Sequence, residues 1–209
     1  MKYTVAAVVL LLPALASAQS VFDQKKFDLD SSSPAVRAAA VEYFKGQHSA
    51  AADEVLLARL EAERNPGVRA GLVEAVDVNV STAAFSAVAS LLDDPNPYVA
   101  QSAAIAMGAC GDGRLLPVYE KALKGGAPAQ VKQTIVNMLG FRSDPGAVAL
   151  LDAVAAEKTN PSEMRRLAVT SMGRIGTKDA LNKAAAYAKD KDPRVSGEAK
   201  KAAARSKKR

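Results

Sequence analysis

The sequence predicts an all-α protein, an α-solenoid of about six helical hairpin repeats. Three observations carry that expectation. An eleven-residue pattern recurs six times without a gap, at spacings of 32, 31, 32, 33 and 31 residues. Most copies open on a helix-start signal, and three close on a glycine. Alanine is abundant, tryptophan is absent and aromatic residues make up 5% of the chain, which suits close helix–helix packing better than a sheet.

The first element precedes the repeats. Lys2 supplies a positive charge, Tyr3 to Leu15 is apolar apart from Thr4, and Ala16-Ser17-Ala18 is a small-x-small cleavage site. Residues 1–18 therefore read as a secretory signal peptide, with a mature chain starting at Gln19. The apolar run is about 13 residues, short of the ~20 that span a bilayer, so export is expected rather than anchoring. No later segment is long and apolar enough to be a transmembrane segment, and no cysteine follows the cleavage site to take a lipid. The expected destination is periplasmic or secreted. Cys110 is the chain's only cysteine, so packing rather than disulfides must hold an exported chain together. Its alanine-rich surroundings make it a small buried apolar side chain.

Residues 19–33 come next. SVFDQKKFDLD, from Ser20, reads as a truncated helix that caps the array with Phe22, Phe27 and Leu29.

The repeat domain is expected over residues 34–204. Its copies are PAVRAAAVEYF from Pro34, PGVRAGLVEAV from Pro66, PYVAQSAAIAM from Pro97, AQVKQTIVNML from Ala129, SEMRRLAVTSM from Ser162 and PRVSGEAKKAA from Pro193. Their third positions are Val36, Val68, Val99, Val131, Met164 and Val195. Asn65-Pro66, Asn96-Pro97, Asn160-Pro161 and Asp192-Pro193 place a capping side chain before a proline that forfeits no hydrogen bond at the first helical position. Apolar or small residues recur four and eight positions on, as in Val131, Ile135 and Leu139, and mark one helix face. Gly108, Gly140 and Gly173 are expected to end these helices in a left-handed cap. A second helix follows each time, beginning near Ala51, Thr82, Leu115, Pro145 and Lys178. One such hairpin cannot bury its apolar face alone, but stacked copies can.

DPNPYVAQSAAIAMG followed by RLLPVYEKAL resembles the HEAT-repeat pattern, in the short form found in phycobilisome lyases. The resemblance extends from Pro34 to about Ala204. It implies that the basic residue after the Val joins a ladder with aspartates in the turns. Arg37, Arg69, Lys132 and Arg165 match that position, whereas Ala100 and Ser196 interrupt it. Bilin lyase activity, the other implication, concerns cytoplasmic phycobiliprotein subunits, and an export signal argues against it.

The C-terminal end differs from the body in charge. Residues 178–209 hold 11 Lys+Arg against 4 Asp+Glu, whereas residues 19–177 hold 16 against 18. A basic tail is expected over residues 205–209, frayed beyond Arg205.

No catalytic, cofactor-binding or metal site stands out, and no small-molecule substrate is indicated, so the chain is expected not to be an enzyme. His48 is the only histidine and sits in the polar turn GQHSAAAD, too few ligands for zinc and more simply a solvated loop residue. Gly108-Ala109-Cys110-Gly111-Asp112-Gly113 follows a helix rather than a strand, so it is a helix stop and not a phosphate loop. Asp93-Asp94 and Asp190/Asp192 fall at repeat turns, where capping accounts for them. Asn79-Val80-Ser81 is a glycosylation sequon by letter only.

The resemblance implies that the helix beginning Val-Arg lines the concave face. Residues two, three and six after the Val then point outward: Ala38, Ala39 and Glu42; Ala70, Gly71 and Glu74; Gln101, Ser102 and Ile105; Gln133, Thr134 and Asn137; Arg166, Leu167 and Thr170. The expected partner-binding row is Glu42, Glu74, Gln101, Ile105, Gln133, Asn137, Arg166 and Thr170. It grades from acidic through amide to basic and suits a protein or extended peptide segment. The expected function is therefore an exported scaffold. The alternative is an anion-binding module whose basic C-terminal tail meets a nucleic acid, an anionic lipid surface or a cell-wall polymer.

Overall fold

A computed structural model describes residues 19–207. The signal peptide expected over residues 1–18 lies outside the described residues. Helix α1 covers residues 19–28. The repeats follow as α2 (Pro34–Phe44), α3 (Ala50–Ala62), α4 (Pro66–Ala75), α5 (Thr82–Ser90), α6 (Pro97–Gly108), α7 (Leu115–Lys124), α8 (Ala129–Leu139), α9 (Pro145–Ala156), α10 (Ser162–Ile175), α11 (Lys178–Ala185) and α12 (Pro193–Ser206). Short 3₁₀ turns, Leu91–Asp93 and Ala186–Lys189, extend α5 and α11. The architecture is an α-solenoid, and among the described residues no helix is long and apolar enough to cross a membrane.

The even-numbered helices form one continuous layer. Each of α2, α4, α6, α8 and α10 packs on the next even helix, whereas the odd helices touch one another only lightly. Leu72, Val99, Ile135, Leu139 and Met172 are buried between the layers, and Cys110 joins them as a small apolar side chain. Tyr119 is also buried, and its hydroxyl donates to the Ala104 carbonyl at 2.5 Å.

The helix starts follow local chemistry. Asn65 Oδ1 accepts from the Gly67 and Val68 amides, Asn96 Oδ1 from Tyr98 and Val99, and Asp192 Oδ1 from Arg194. Ser49, Ser81, Asp144 and Thr177 cap odd helices in the same way. Asn160 departs from the expectation. Pro161 takes the cap position of α10, while Asn160 Nδ2 turns back to donate to the Val154 carbonyl at 2.9 Å.

The three register glycines also differ from expectation, for a packing reason. None has a positive φ, and α10 runs past Gly173 to end at Gly176, whose φ of 69° is the left-handed cap. Gly108 and Gly140 lie where even helices cross. A Cβ on Gly108 would stand 2.9 Å from Met138 Sδ, and one on Gly140 would stand 2.8 Å from Ser171 Oγ. Gly173 meets nothing within 4 Å.

At the N-terminal end, Phe22 packs edge-on against Phe44 at 5.3 Å and Leu29 is buried, as a cap requires. Phe27 does not take part, since it is 74% exposed. At the other end α12 continues through Ser206, one residue past Arg205, and residues 208–209 of the expected tail lie outside the described residues.

Candidate functional site

The row expected to meet a partner lies on the layer of even helices. Glu42, Glu74, Gln101 and Ile105 are exposed, and Gln133, Asn137, Arg166 and Thr170 are half-buried. The third positions behave differently. Ala39 is exposed and Gly71 and Leu167 are half-buried, but Ser102 and Thr134 are buried. The close approach of successive even helices covers them. Ser102 Oγ donates to Glu74 Oε1 at 2.8 Å, and Thr134 Oγ1 donates to the Gln130 carbonyl at 3.0 Å.

The charges at the two ends of the row are compensated. Lys45 pairs with Glu42 at 2.6 Å and with Glu74 at 3.5 Å, which raises its pKa, and Arg166 is held bidentate by Glu163. The middle is uncharged. Gln101 and Gln133 spend no side-chain hydrogen bond within the described residues, and Ile105 between them is 45% exposed. This stretch can offer amide donors and acceptors beside an apolar side chain.

Two ladders of polar contacts run across the repeats and fix the even helices in place. The first is the ladder implied by the repeat pattern. Arg37 Nε and Nη2 donate to Glu63 at 2.7 and 2.8 Å, and its Nη1 also donates to the Ser31 and Ser32 carbonyls. Arg69 pairs with Asp94 at 2.6 Å, and Arg165 pairs with Asp190. Burial alone would raise the Glu63 carboxyl, but Arg37, the Asn65 amide and Arg59 outweigh it and hold it at about 2. Lys158, opposed by burial but joined by the Asp192 amide and Arg165, holds Asp190 at about 2. The ladder fails in the middle. Ala100 is buried and carries no charge, and Lys132 donates to the Gly125 carbonyl at 2.8 Å instead of crossing to the next repeat.

The second ladder joins the turns at the opposite ends of the even helices. His48 Nδ1 meets Asp77 Oδ2 at 2.7 Å, and Asn79 bridges to the Gly111 amide and the Ala109 carbonyl. Arg142, Arg174 and Arg205 then donate to the carbonyls of Cys110, Asn137 and Gly173. Each guanidinium serves carbonyls near the C-terminal end of the preceding even helix, where a cation also suits the helix dipole. The sequence reading missed this ladder. Arginines at 142, 174 and 205, near the repeat interval, were the available signal.

His48 is an exposed loop residue, as expected, whose ring also makes a rung with Asp77, and its φ of 30° places it in the left-handed region. Asp53 lies under the same turn. It accepts from the Asp77 amide at 3.1 Å, its second oxygen has no partner, and burial pushes its carboxyl up. Asp94 and Asp190 act in turns and in the first ladder rather than as caps, and of the four acids in these turns only Asp192 caps a helix. Among the described residues no group of three or more His, Cys, Asp or Glu is placed to hold a metal ion.

Residues 85–162 match the family described as HEAT repeats. No curated protein sequence matches the chain significantly. Among solved structures, an engineered protein is similar at 17% identity, with 90% of this chain and 96% of that chain covered and a TM-score of 0.50. The complex of CpcE and CpcF of phycocyanin lyase from Nostoc sp. is similar at 17% identity over 90% and 94%, with a TM-score of 0.46. Human deoxyhypusine hydroxylase, in complex with glycerol, is similar at 15% identity over 90% and 85%, with a TM-score of 0.45. Two of these names belong to enzymes. That corrects the expectation of a chain that is not an enzyme, because stacked helical hairpins also occur in catalysts. The family match is confined to residues 85–162, and helical hairpins of the same kind stack on either side of it.

Proposed function

We propose that this chain is exported and acts as a HEAT-repeat scaffold that binds an extended protein segment along its even-helix face. The observation that carries the reading is the middle of the row. Gln101, Ile105 and Gln133 are accessible, uncharged and unspent, on a row whose charged members Glu42, Glu74 and Arg166 are paired internally. Amides can pair with a partner's backbone, and Ile105 can bury against an apolar side chain. The tight packing of each even helix on the next supports a concave surface there, since the inner layer of a curved stack is the more crowded one. Export rests on the sequence of residues 1–18.

Affinity capture from envelope and culture-medium fractions tests the scaffold. The parent chain is compared with a variant carrying Gln101→Lys, Ile105→Lys and Gln133→Lys, positions that hold no internal bond. A protein retained by the parent and lost from the triple variant supports the face; equal retention by both overturns it. Chain recovered from its producing cells should begin at Gln19, and recovery only as a chain beginning at Met1 would overturn export.

A further inference from the structure

The last ten residues, KKAAARSKKR, carry the greatest density of positive charge, and two of their cations are engaged within the fold. Arg205 donates to the Gly173 carbonyl at 2.6 Å, and Lys201 pairs with Glu198 at 2.7 Å. The turn before α12 is arranged differently. Lys158, Arg165, Lys189, Asp190, Lys191 and Asp192 line one open cleft of about 600 Å³. Both carboxylates there are used internally. Asp190 accepts from Lys158, Arg165 and the Asp192 amide, and Asp192 caps α12. Lys189 and Lys191 are exposed and make no ion pair among the described residues, and the Lys158 side chain is 67% exposed. Three ammonium groups therefore face solvent above a floor whose negative charge is already matched.

We infer that this cleft binds a polymer of phosphate groups. Lysines are hydrated point charges on flexible stems, suited to a run of anionic groups more than to one group held in a fixed fork. A membrane surface fits less well, because no large apolar side chain after Phe141 is among the exposed ones, so nothing at this end would anchor in lipid. A base-reading site fits less well too. Tyr187 is the nearby ring, and it is half-buried with its hydroxyl on Asp152. Binding through charge alone must weaken with salt. The site is independent of the even-helix face, so either can fail without the other.

The test titrates the full chain with inorganic polyphosphate by calorimetry, at about 50 and about 200 mM salt. Lys189→Glu/Lys191→Glu is compared with Lys200→Glu/Lys207→Glu, which changes net charge equally from exposed positions further along α12 and just past its end. The first pair should weaken binding about tenfold or more, the second less than about threefold, and affinity of the parent should fall steeply with salt. Equal losses from the two pairs would reduce the effect to net charge and overturn the cleft. So would an absence of binding by the parent, or preference for phosphatidylglycerol vesicles over polyphosphate. Should the glutamate pair lose its helical circular dichroism, Lys189→Ala/Lys191→Ala takes its place with the same expected direction.

Discussion

Gly140 and Gly173 hold the same register position in adjacent repeats, yet they answer to different constraints. At Gly140 the missing Cβ makes room for Ser171, which approaches to 2.8 Å of where that carbon would be. Both partners are buried, so neither can move aside without shifting α8 against α10. Gly173 has open space around the same position and normal helical φ, so there it costs only backbone entropy. Gly140→Ala should therefore destabilise by roughly 1–3 kcal/mol through overpacking. Gly173→Ala should stabilise by up to ~1 kcal/mol, the helix-propensity difference. Urea midpoints of the two variants check this, and equal shifts of the same sign would mean that the close crossing of α8 and α10 is misread. Val36 makes the complementary point. It shares a register with Val99, yet it is 41% exposed while Val99 is fully buried, because no full repeat precedes it.

At the scale of elements, what the sequence revealed depended on whether both interacting groups are side chains. The caps at Asn65, Asn96 and Asp192 were legible because donor and acceptor lie within three residues. Asn160 shares those letters, but Glu157 already organises that turn through Thr159, and the amide of Asn160 is drawn back to Val154. The first ladder was implied by the repeat resemblance, and its basic positions stand in register, although Arg37 meets a glutamate rather than an aspartate. The second was not legible, because its acceptors are mostly backbone carbonyls, which leave no letter in the sequence. The candidate face divides in the same way. Positions two and six after the Val, which the repeat resemblance implies point outward, are exposed or half-buried. Position three fails at Ser102 and Thr134 because a repeat pattern gives direction and not the distance to the next helix.

For the whole molecule, the two ladders set how the solenoid should come apart. In a stack of repeats each unit is stabilised by its neighbours, so local weakness becomes local opening. The strongly acidic carboxylates stand toward the two ends, Glu63 joining the first repeat to the second and Asp190 joining the fifth to the sixth. Between α6 and α8 the first ladder has no rung, since Ala100 takes the register position of an arginine and the facing turn is Gly125-Gly126. A carboxylate whose folded pKa is depressed stabilises the fold fully above its unfolded pKa and loses that contribution as pH falls through the folded value. For Glu63 the window runs from 4.5 down to about 2, and for Asp190 from 3.8 down to about 2. Acid should thus loosen the ends before the middle. Hydrogen exchange at about pH 3, corrected for intrinsic rates and compared with about pH 7, should show α2, α4, α10 and α12 losing protection while α6 and α8 keep theirs. Glu63→Gln, which has no charge to lose, should lower protection of α2 and α4 at neutral pH and flatten their pH response, leaving α10 and α12 as before. Loss of protection first in α6 and α8 would show that apolar stacking, and not the carboxylate ladder, is what acid reaches first.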